Sequence, residues 1–186
     1  MIRTLGYVDV APVAQRFARM KDEIWFFDTS RQEKQGAHRQ TQFIPLIYDG
    51  LFSADFVRVE RWGYFLFETS LEKLLDAMAS KVKPVFGSGY WARALFTRLP
   101  AGAVIPQHKD RGLGLTYPWR IHCPIITNPD VKFWCGSVDE DGQHIEAGQV
   151  IEFNNQETHC VANNGHTARV HLICDWYKHE SDVRLR

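Results

Sequence analysis

Apolar residues recur at helical spacing in two stretches of the N-terminal half. Residues 11–24 carry an apolar side chain every three or four positions, which predicts an amphipathic helix. A second helix is predicted to begin at Ser70, with Glu72 in its first turn, and to end near Pro84. Its buried side would consist of Leu71, Leu74, Leu75 and Met78. Between the helices, 43–48 is predicted to form a strand, and 62–68 either a strand or a packed loop.

The stretch 28–42 lacks this periodicity. It is polar and almost free of large apolar side chains. A loop of that length inside a domain is either functional or mobile. We interpret it as a lid or a substrate-facing loop, and a mobile surface loop is the alternative.

From residue 90 onward the chain consists of short alternating segments separated by turns, which favours a β-sandwich or barrel. The predicted strands are 91–99, 119–127, 131–137, 149–153, 158–162 and 168–176. Residues 2–10 are predicted as an edge strand. The expected fold is mainly β with N-terminal helices: one domain, 1–186, in which a helical and mixed part (1–89) packs on a jelly roll (90–177).

Composition places the chain among ordinary globular proteins. Its 186 residues suit one domain, and 45% are hydrophobic. The formal net charge of zero gives no general attraction to nucleic acid or to an anionic membrane. No apolar run is long enough for a membrane span or a signal peptide, so we expect a cytoplasmic protein. Reduced thiols, rather than zinc ligands or disulfides, are expected for Cys123, Cys135, Cys160 and Cys174.

A candidate metal site begins at His108. In an extended segment residues i and i+2 point to the same side, so His108 and Asp110 can hold one ion from a single strand end. A third ligand must come from a strand that returns beside the first, and His159 follows the predicted strand 149–153. Two histidines and one carboxylate with open positions opposite are typical of non-haem Fe(II) oxygenases.

Such a pair alone is weak evidence. With 8 histidines and 22 acidic residues, about one His-x-Asp/Glu is expected by chance. A second pair, His144 and Glu146, is interpreted as part of a solvated strand. His108 differs because a distal histidine and then Arg169 follow it in the order that a metal site with a bound carboxylate needs.

The arginines indicate the second half of the chemistry. A dicarboxylate such as 2-oxoglutarate needs a cation for its far carboxylate, and the planar guanidinium of arginine suits that role. Arg169 lies on the strand after His159, and Arg120 shares a strand face with His122. Arginines that point into a barrel are costly unless an anion neutralises them. The alternative is that Arg120 pairs with an acidic neighbour on the surface.

Four separated motifs carry a resemblance to a known family. They are LPAGAVIPQHKD at 99–110, RIHCPIITN at 120–128, FNN at 153–155 with His159, and RVHLICDW at 169–176. In this order they resemble the aspartyl/asparaginyl β-hydroxylases, which are Fe(II)- and 2-oxoglutarate-dependent oxygenases on a double-stranded β-helix of the cupin-like kind. Asp110 is present as in short bacterial members, whereas the animal enzyme lacks this ligand.

The resemblance implies roles for individual residues. The iron ligands, and so the catalytic centre, would be His108, Asp110 and His159. Contacts to 2-oxoglutarate would come from Arg169, Arg120, His122 and Thr97, or from Arg98 in place of Thr97. The segment 38–46 is similar to a substrate-side segment of bacterial relatives. Residues proposed to shape the substrate pocket are His38, Arg39, Trp119 and Trp134, and ordinary core packing is the alternative for the two tryptophans.

The implied activity is hydroxylation of an unactivated C–H bond with Fe(II), 2-oxoglutarate and O2, releasing succinate and CO2. The substrate would be an amino acid, free or within a peptide, such as aspartate, asparagine or proline. Two alternatives are a cupin-like metal enzyme that does not use 2-oxoglutarate and a non-catalytic metal-binding module. Arg120 and Arg169 argue against the first, and the intact triad argues against the second.

Overall fold

The computed structural model describes residues 2–34, 36–48, 59–110, 113–136 and 141–178. The strands in this part of the chain are β1 Ile2–Tyr7, β2 Gln42–Tyr48, β3 Gly89–Leu99, β4 Val104–His108, β5 Trp119–Ile126, β6 Val131–Cys135, β7 Gln149–Phe153, β8 His159–Asn163 and β9 Arg169–Lys178. The helices are α1 Ala11–Ala18, α2 Ser30–Lys34, α3 Glu68–Phe86 and α4 Leu113–Thr116. Turns of 3-10 helix form at Asp22–Phe26, Gly36–His38 and Tyr64–Leu66.

The strands form two antiparallel sheets. The larger sheet has the order β1-β7-β5-β9-β3-β2, and the smaller sheet has the order β4-β8-β6. Strands that are distant in sequence are therefore neighbours, and β9 lies between β3 and β5. The prediction of a mainly β fold with N-terminal helices is confirmed, and β1 is an edge strand as predicted.

Alternation along β3 assigns its side chains to two different layers. Ala94 and Phe96 belong to the core cluster beneath α1 and α3, which also contains Val13 and the predicted apolar side of α3. Arg93 and Thr97 are on the opposite face of the strand, because successive side chains of a strand alternate between faces. That second face of the large sheet is turned towards the candidate site.

A second apolar cluster lies at one end of the site pocket. Ile105, Phe133, Phe153 and Val161 are all buried within it, and all four also line the pocket. They come from β4, β6, β7 and β8, so both sheets contribute. This packed layer gives the polar residues of the site an apolar, close-packed support.

Two helix boundaries differ from the sequence prediction. The helix predicted over 11–24 ends at Ala18, and Lys21 is extended (φ −74°, ψ 149°) before a separate 3-10 turn begins. The second helix begins at Glu68 rather than Ser70 and continues through Pro84 to Phe86, where Gly87 ends it with φ 86°. A positive φ is readily adopted by glycine, which explains the stop.

Three segments without predicted helix contain helical turns. The predicted loop 28–42 includes α2 and the turn Gly36–His38, and 62–68 includes the turn Tyr64–Leu66. The loop after β4 includes α4. The predicted end of β6 at residue 137 lies outside the described residues. Cys123 and Cys174 are buried, and Cys135 and Cys160 are partly buried. No helix in the described ranges is long and apolar enough to cross a bilayer.

Phe96 is expected to be important for the stability of the helical layer against the sheet. It has no exposed surface, and its ring lies 4.9 Å from that of Phe17 and 4.8 Å from that of Phe67. We expect Phe96→Ala to lower the free energy of unfolding by about 3–5 kcal/mol, through lost burial and a cavity. Phe65→Ala is the control, because that ring is 61% exposed. Equal effects in urea denaturation would contradict this view of the core.

Candidate active site

The three predicted metal-binding side chains lie together because β4 pairs with β8. His108 ends β4 and is the register partner of His159, which begins β8. The centroids of the two imidazole rings are 4.2 Å apart. Asp110 is held beside them by a bond from its backbone N–H to the carbonyl of Asn155 (3.0 Å), and its Oδ1 lies 3.7 Å from His108 Nε2.

Both histidines present the same ring nitrogen to the site. His108 Nδ1 donates to the carbonyl of Pro106 (2.8 Å), and His159 Nδ1 donates to the carbonyl of Glu157 (2.9 Å). A carbonyl can only accept, so in the neutral rings Nε2 keeps its lone pair. Burial lowers the pKa of His159 despite the bond to Glu157, which favours the neutral, ligating form.

Asp110 is oriented through its other carboxylate oxygen. Its Oδ2 accepts hydrogen bonds from Arg120 Nη1 (2.8 Å) and Asn155 Nδ2 (3.3 Å). Burial by itself would raise the pKa of Asp110, but Arg120 and His159 outweigh it and the pKa is lowered. The carboxylate is therefore ionised and can serve as a metal ligand through Oδ1.

Arg120 belongs to a chain of buried ion pairs that sequence reasoning did not foresee. Its Nε donates to Asp175 Oδ1 (2.7 Å), while Asp175 Oδ2 lies 2.5 Å from Arg93 Nη2. Asp175 is 1% exposed and Arg120 is 6% exposed. The partners of Arg120 are acidic, as in the alternative interpretation, but they are buried instead of on the surface. The sequence did contain a signal that Asp175 belongs to the site. Side chains alternate along β9, so Asp175 lies on the same face of the strand as Arg169.

Arg169 differs from Arg120 because it has no carboxylate partner in the described part of the chain. It is 1% exposed, its Nη2 donates to His171 Nδ1 (2.7 Å), and its Nε is buried without a hydrogen bond. Burial lowers the pKa of Arg169 to about 9. A buried cation without a counter-ion is costly, so this position favours binding of an anion.

The pocket contains further polar atoms that lack partners within the described residues. They are Thr97 Oγ1, Arg120 Nη2, both ring nitrogens of His122 and Arg169 Nε. A dicarboxylate with a 2-oxo group carries only oxygen acceptors, so the Thr97 hydroxyl, the two guanidinium N–H groups and the single N–H of neutral His122 fit it. Thr97, and not Arg98, lines the pocket, because the Arg98 guanidinium contacts Asp22 and Gln42 elsewhere.

The segment before β2 covers this pocket. Arg31 and His38 line it together with the predicted site residues. The pocket volume is about 30 Å³, which corresponds to very few water molecules. Sequence reasoning identified His38 and the segment but not Arg31.

His38 also lies within reach of a metal at this site. Ligand atoms of His38, His108 and Asp110 are within 4.8 Å of one another, a grouping suited to Fe(II). However, His38 Nε2 lies 3.1 Å from Arg31 Nη2, which can only donate. The lone pair of His38 Nε2 is therefore engaged, and the neutral ring carries its proton on Nδ1. His159 has a free lone pair, which makes it the better third ligand.

The other candidates from the sequence do not line the pocket. Arg39 is exposed. Trp119 packs against the Phe86 ring, with centroids 5.0 Å apart, as expected for core packing. Trp134 is partly buried on β6 and lies close to Gly142. The interpretation of His144 and Glu146 as a solvated strand is wrong: both lie between β6 and β7 outside any strand, and His144 is half-buried with its Nδ1 3.2 Å from the carbonyl of Val131.

Similar solved structures establish the fold. They include a 2OG-Fe(II) oxygenase family oxidoreductase from Burkholderia pseudomallei (TM-score 0.57, 15% identity, covering 92% of this chain and 91% of that one). A Pseudomonas putida prolyl-4-hydroxylase has a TM-score of 0.54 and 14% sequence identity, and the match covers 96% of this chain and 91% of that one. A collagen prolyl hydroxylase of Paramecium Bursaria Chlorella virus-1 has a TM-score of 0.53 and 8% sequence identity, and the match covers 95% of both chains. The predicted double-stranded β-helix is thereby confirmed.

Sequence comparison identifies the family. No curated protein matches the chain at a significant level. A model of the aspartyl/asparaginyl β-hydroxylase family matches residues 68–179, which is more than half of the chain. The matched range contains the three candidate metal ligands and also Arg93, Arg120 and Arg169. The chain therefore belongs to the aspartyl/asparaginyl β-hydroxylase family and is an Fe(II)- and 2-oxoglutarate-dependent hydroxylase.

Proposed function

We propose that the protein hydroxylates an unactivated C–H bond of an amino acid, free or within a peptide, with release of succinate and CO2. The observation that carries this proposal is Arg169, a buried cation that has no counter-ion among the described residues and shares a pocket with a two-histidine, one-carboxylate group. Aspartyl, asparaginyl and prolyl substrates are favoured by the family and by the two similar prolyl hydroxylases.

In this proposal His108, Asp110 and His159 hold the iron. Fe(II), together with 2-oxoglutarate and O2, supplies the oxidising power for C–H cleavage. The protein holds the ligands in place: the two histidines are fixed by their Nδ1 bonds to backbone carbonyls, and Asp110 is fixed by Arg120. Such supporting contacts set both the orientation and the basicity of the ligands.

Arg169 binds the far carboxylate of 2-oxoglutarate, and Thr97 and His122 contact the co-substrate. Arg169 and Thr97 lie on β9 and β3, which are adjacent, while His122 comes from β5 on the other side of β9. Three neighbouring strands thus direct donors to one region of the pocket. The apolar residues beneath them exclude water and strengthen these charge-assisted hydrogen bonds.

Arg120 acts as a positioning residue between Asp175 and Asp110. Its Nε and Nη1 are both engaged by carboxylates, so only Nη2 remains for a contact to the co-substrate. We assign its main role to holding Asp110 rather than to binding 2-oxoglutarate.

Other parts of the proposal rest on composition. The balanced charge favours a small-molecule or peptide partner over nucleic acid, and cytoplasmic location stays a prediction. The competing cupin-like enzyme without 2-oxoglutarate and the non-catalytic module both leave Arg169 without a role.

Arg169→Gln is expected to separate co-substrate binding from iron binding. Apo-protein is titrated anaerobically with Fe(II) and then with 2-oxoglutarate, and the visible metal-to-ligand charge-transfer band is recorded. Loss of a charged hydrogen-bonding partner should weaken 2-oxoglutarate binding by about 10–100-fold, with iron affinity unchanged. Arg98→Gln is the matched control, because its guanidinium contacts Asp22 outside the pocket. Iron binding by the wild type without the band would favour the cupin-like alternative.

Asp175→Asn is expected to weaken iron binding although Asp175 is not a ligand. It removes one carboxylate charge from the ion-pair chain, and loss of such supporting partners typically costs about 10–100-fold in metal affinity. Asp110→Ala should have the larger effect. Asp22→Asn is the control, since it also removes half of an ion pair, but one distant from the site. If both asparagine variants had the wild-type Fe(II) dissociation constant, Asp175 would have no positioning role.

A further inference from the structure

A second, larger cavity adjoins the pocket. Its volume is about 550 Å³, and Arg31 lines both spaces. Arg93 and Leu95 line the cavity and Thr97 lines the pocket, and these alternate residues share one face of β3. The cavity therefore continues from the metal site along the sheet towards the edge strand β2. It has the size of an ordinary small-molecule site.

Arg31 lies at the junction without a counter-ion. Among the described residues it has no ion pair, its Nη2 contacts His38, and its Nε is buried without a hydrogen-bond partner. Burial, with repulsion from Arg120 and Arg93, lowers the pKa of Arg31 to about 9. Arg31 is thus a second cation, besides Arg169, in a position that favours an anion.

The balance of charge around both spaces remains positive. Five arginines and three aspartates line the pocket and cavity or pair directly with their walls: Arg31, Arg61, Arg93, Arg120, Arg169, Asp28, Asp110 and Asp175. Fe(II) and 2-oxoglutarate carry opposite charges of equal size, so binding of both leaves the excess of positive charge around the two spaces unchanged. With Arg169 assigned to 2-oxoglutarate, Arg31 remains available for another anion.

His38 adds a neutral donor beside Arg31. Because its Nε2 accepts from Arg31, its proton is on Nδ1, and this nitrogen is buried without a hydrogen-bond partner in the described ranges. The His38 ring is 4.9 Å from the His108 ring. A cation and an N–H donor therefore lie next to the candidate metal ligands, and the cation also lines the larger cavity.

We propose that Arg31 and His38 bind a carboxylate group of the substrate. The rest of the substrate then occupies the larger cavity, whose walls include Phe43, Tyr48 and Trp62. This inference rests on the proposed hydroxylase function and specifies its substrate class as an acid with a free carboxylate. Arg31 and His38 lie outside residues 68–179, so this contact belongs to the part of the chain beyond the family match.

The probes are the twenty L-amino acids, their N-acetyl derivatives and the carboxamides of both sets. Binding to the Fe(II)–2-oxoglutarate form of the full chain is measured anaerobically by calorimetry. We expect at least one acid to bind the wild type about tenfold or more tightly than its carboxamide, because the amide loses the charge-assisted bond.

Arg31→Gln should weaken binding of that acid by about 10–100-fold and remove its advantage over the carboxamide. Arg31→Lys should retain part of the preference, because it keeps the charge without the planar fork. The 2-oxoglutarate titration of both variants should stay within about twofold of the wild type, which also shows that the site is folded. Arg39→Gln is the control, because this exposed arginine follows His38 directly and should change nothing.

The outcomes separate the two proposals. Absence of the charge-transfer band in the wild type overturns the hydroxylase function, and with it this inference. A normal band combined with equal binding of acids and carboxamides, with no binding of any acid, or with an unchanged preference in Arg31→Gln overturns the carboxylate assignment alone.

Discussion

The buried chain of ion pairs from Arg93 through Asp175 and Arg120 to Asp110 is the interaction on which the site depends. It connects β3, β9 and β5 to the residue that follows β4. Buried charges are tolerated when each is paired, and breaking such a pair costs more than the pair contributes. This set of ion pairs therefore fixes the position of Asp110, the candidate carboxylate ligand, and keeps it ionised despite its burial.

Two arginines outside that chain have the opposite character. Arg169 and Arg31 lack counter-ions among the described residues, so the folded protein bears the cost of desolvating them. Anions that bind beside them relieve that cost and stabilise the fold by mass action. Their separation is informative: Arg169 is deep in the pocket, whereas Arg31 is at the junction with the larger cavity. Two different anions can thus be bound, one in the pocket at Arg169 and one at Arg31, where the pocket meets the cavity.

The structure brings together the residues on which a local rule and a distant motif agreed. His108 and Asp110 follow the period of a strand, and His159 and Arg169 occur in the required order. For Trp119 and Trp134, sequence reasoning left core packing open beside a pocket role, because aromatic residues suit a core as well as a pocket. The helix predicted to reach residue 24 stops early because the extended backbone at Lys21 interrupts a pattern that periodicity alone would continue.

By itself, the sequence determined the pairing of His108 with Asp110 at strand spacing, the alternation that gives Arg120 and His122 a common face, and the overall β character, because these depend on neighbours along the chain. Only the tertiary structure decided which faces meet. Pairing of β4 with β8 brings His159 to His108, and pairing of β9 with both β3 and β5 places Asp175 between two arginines. The sequence also did not predict that Arg31 lines the pocket, because contacts between segments far apart in sequence arise from the packing of whole elements.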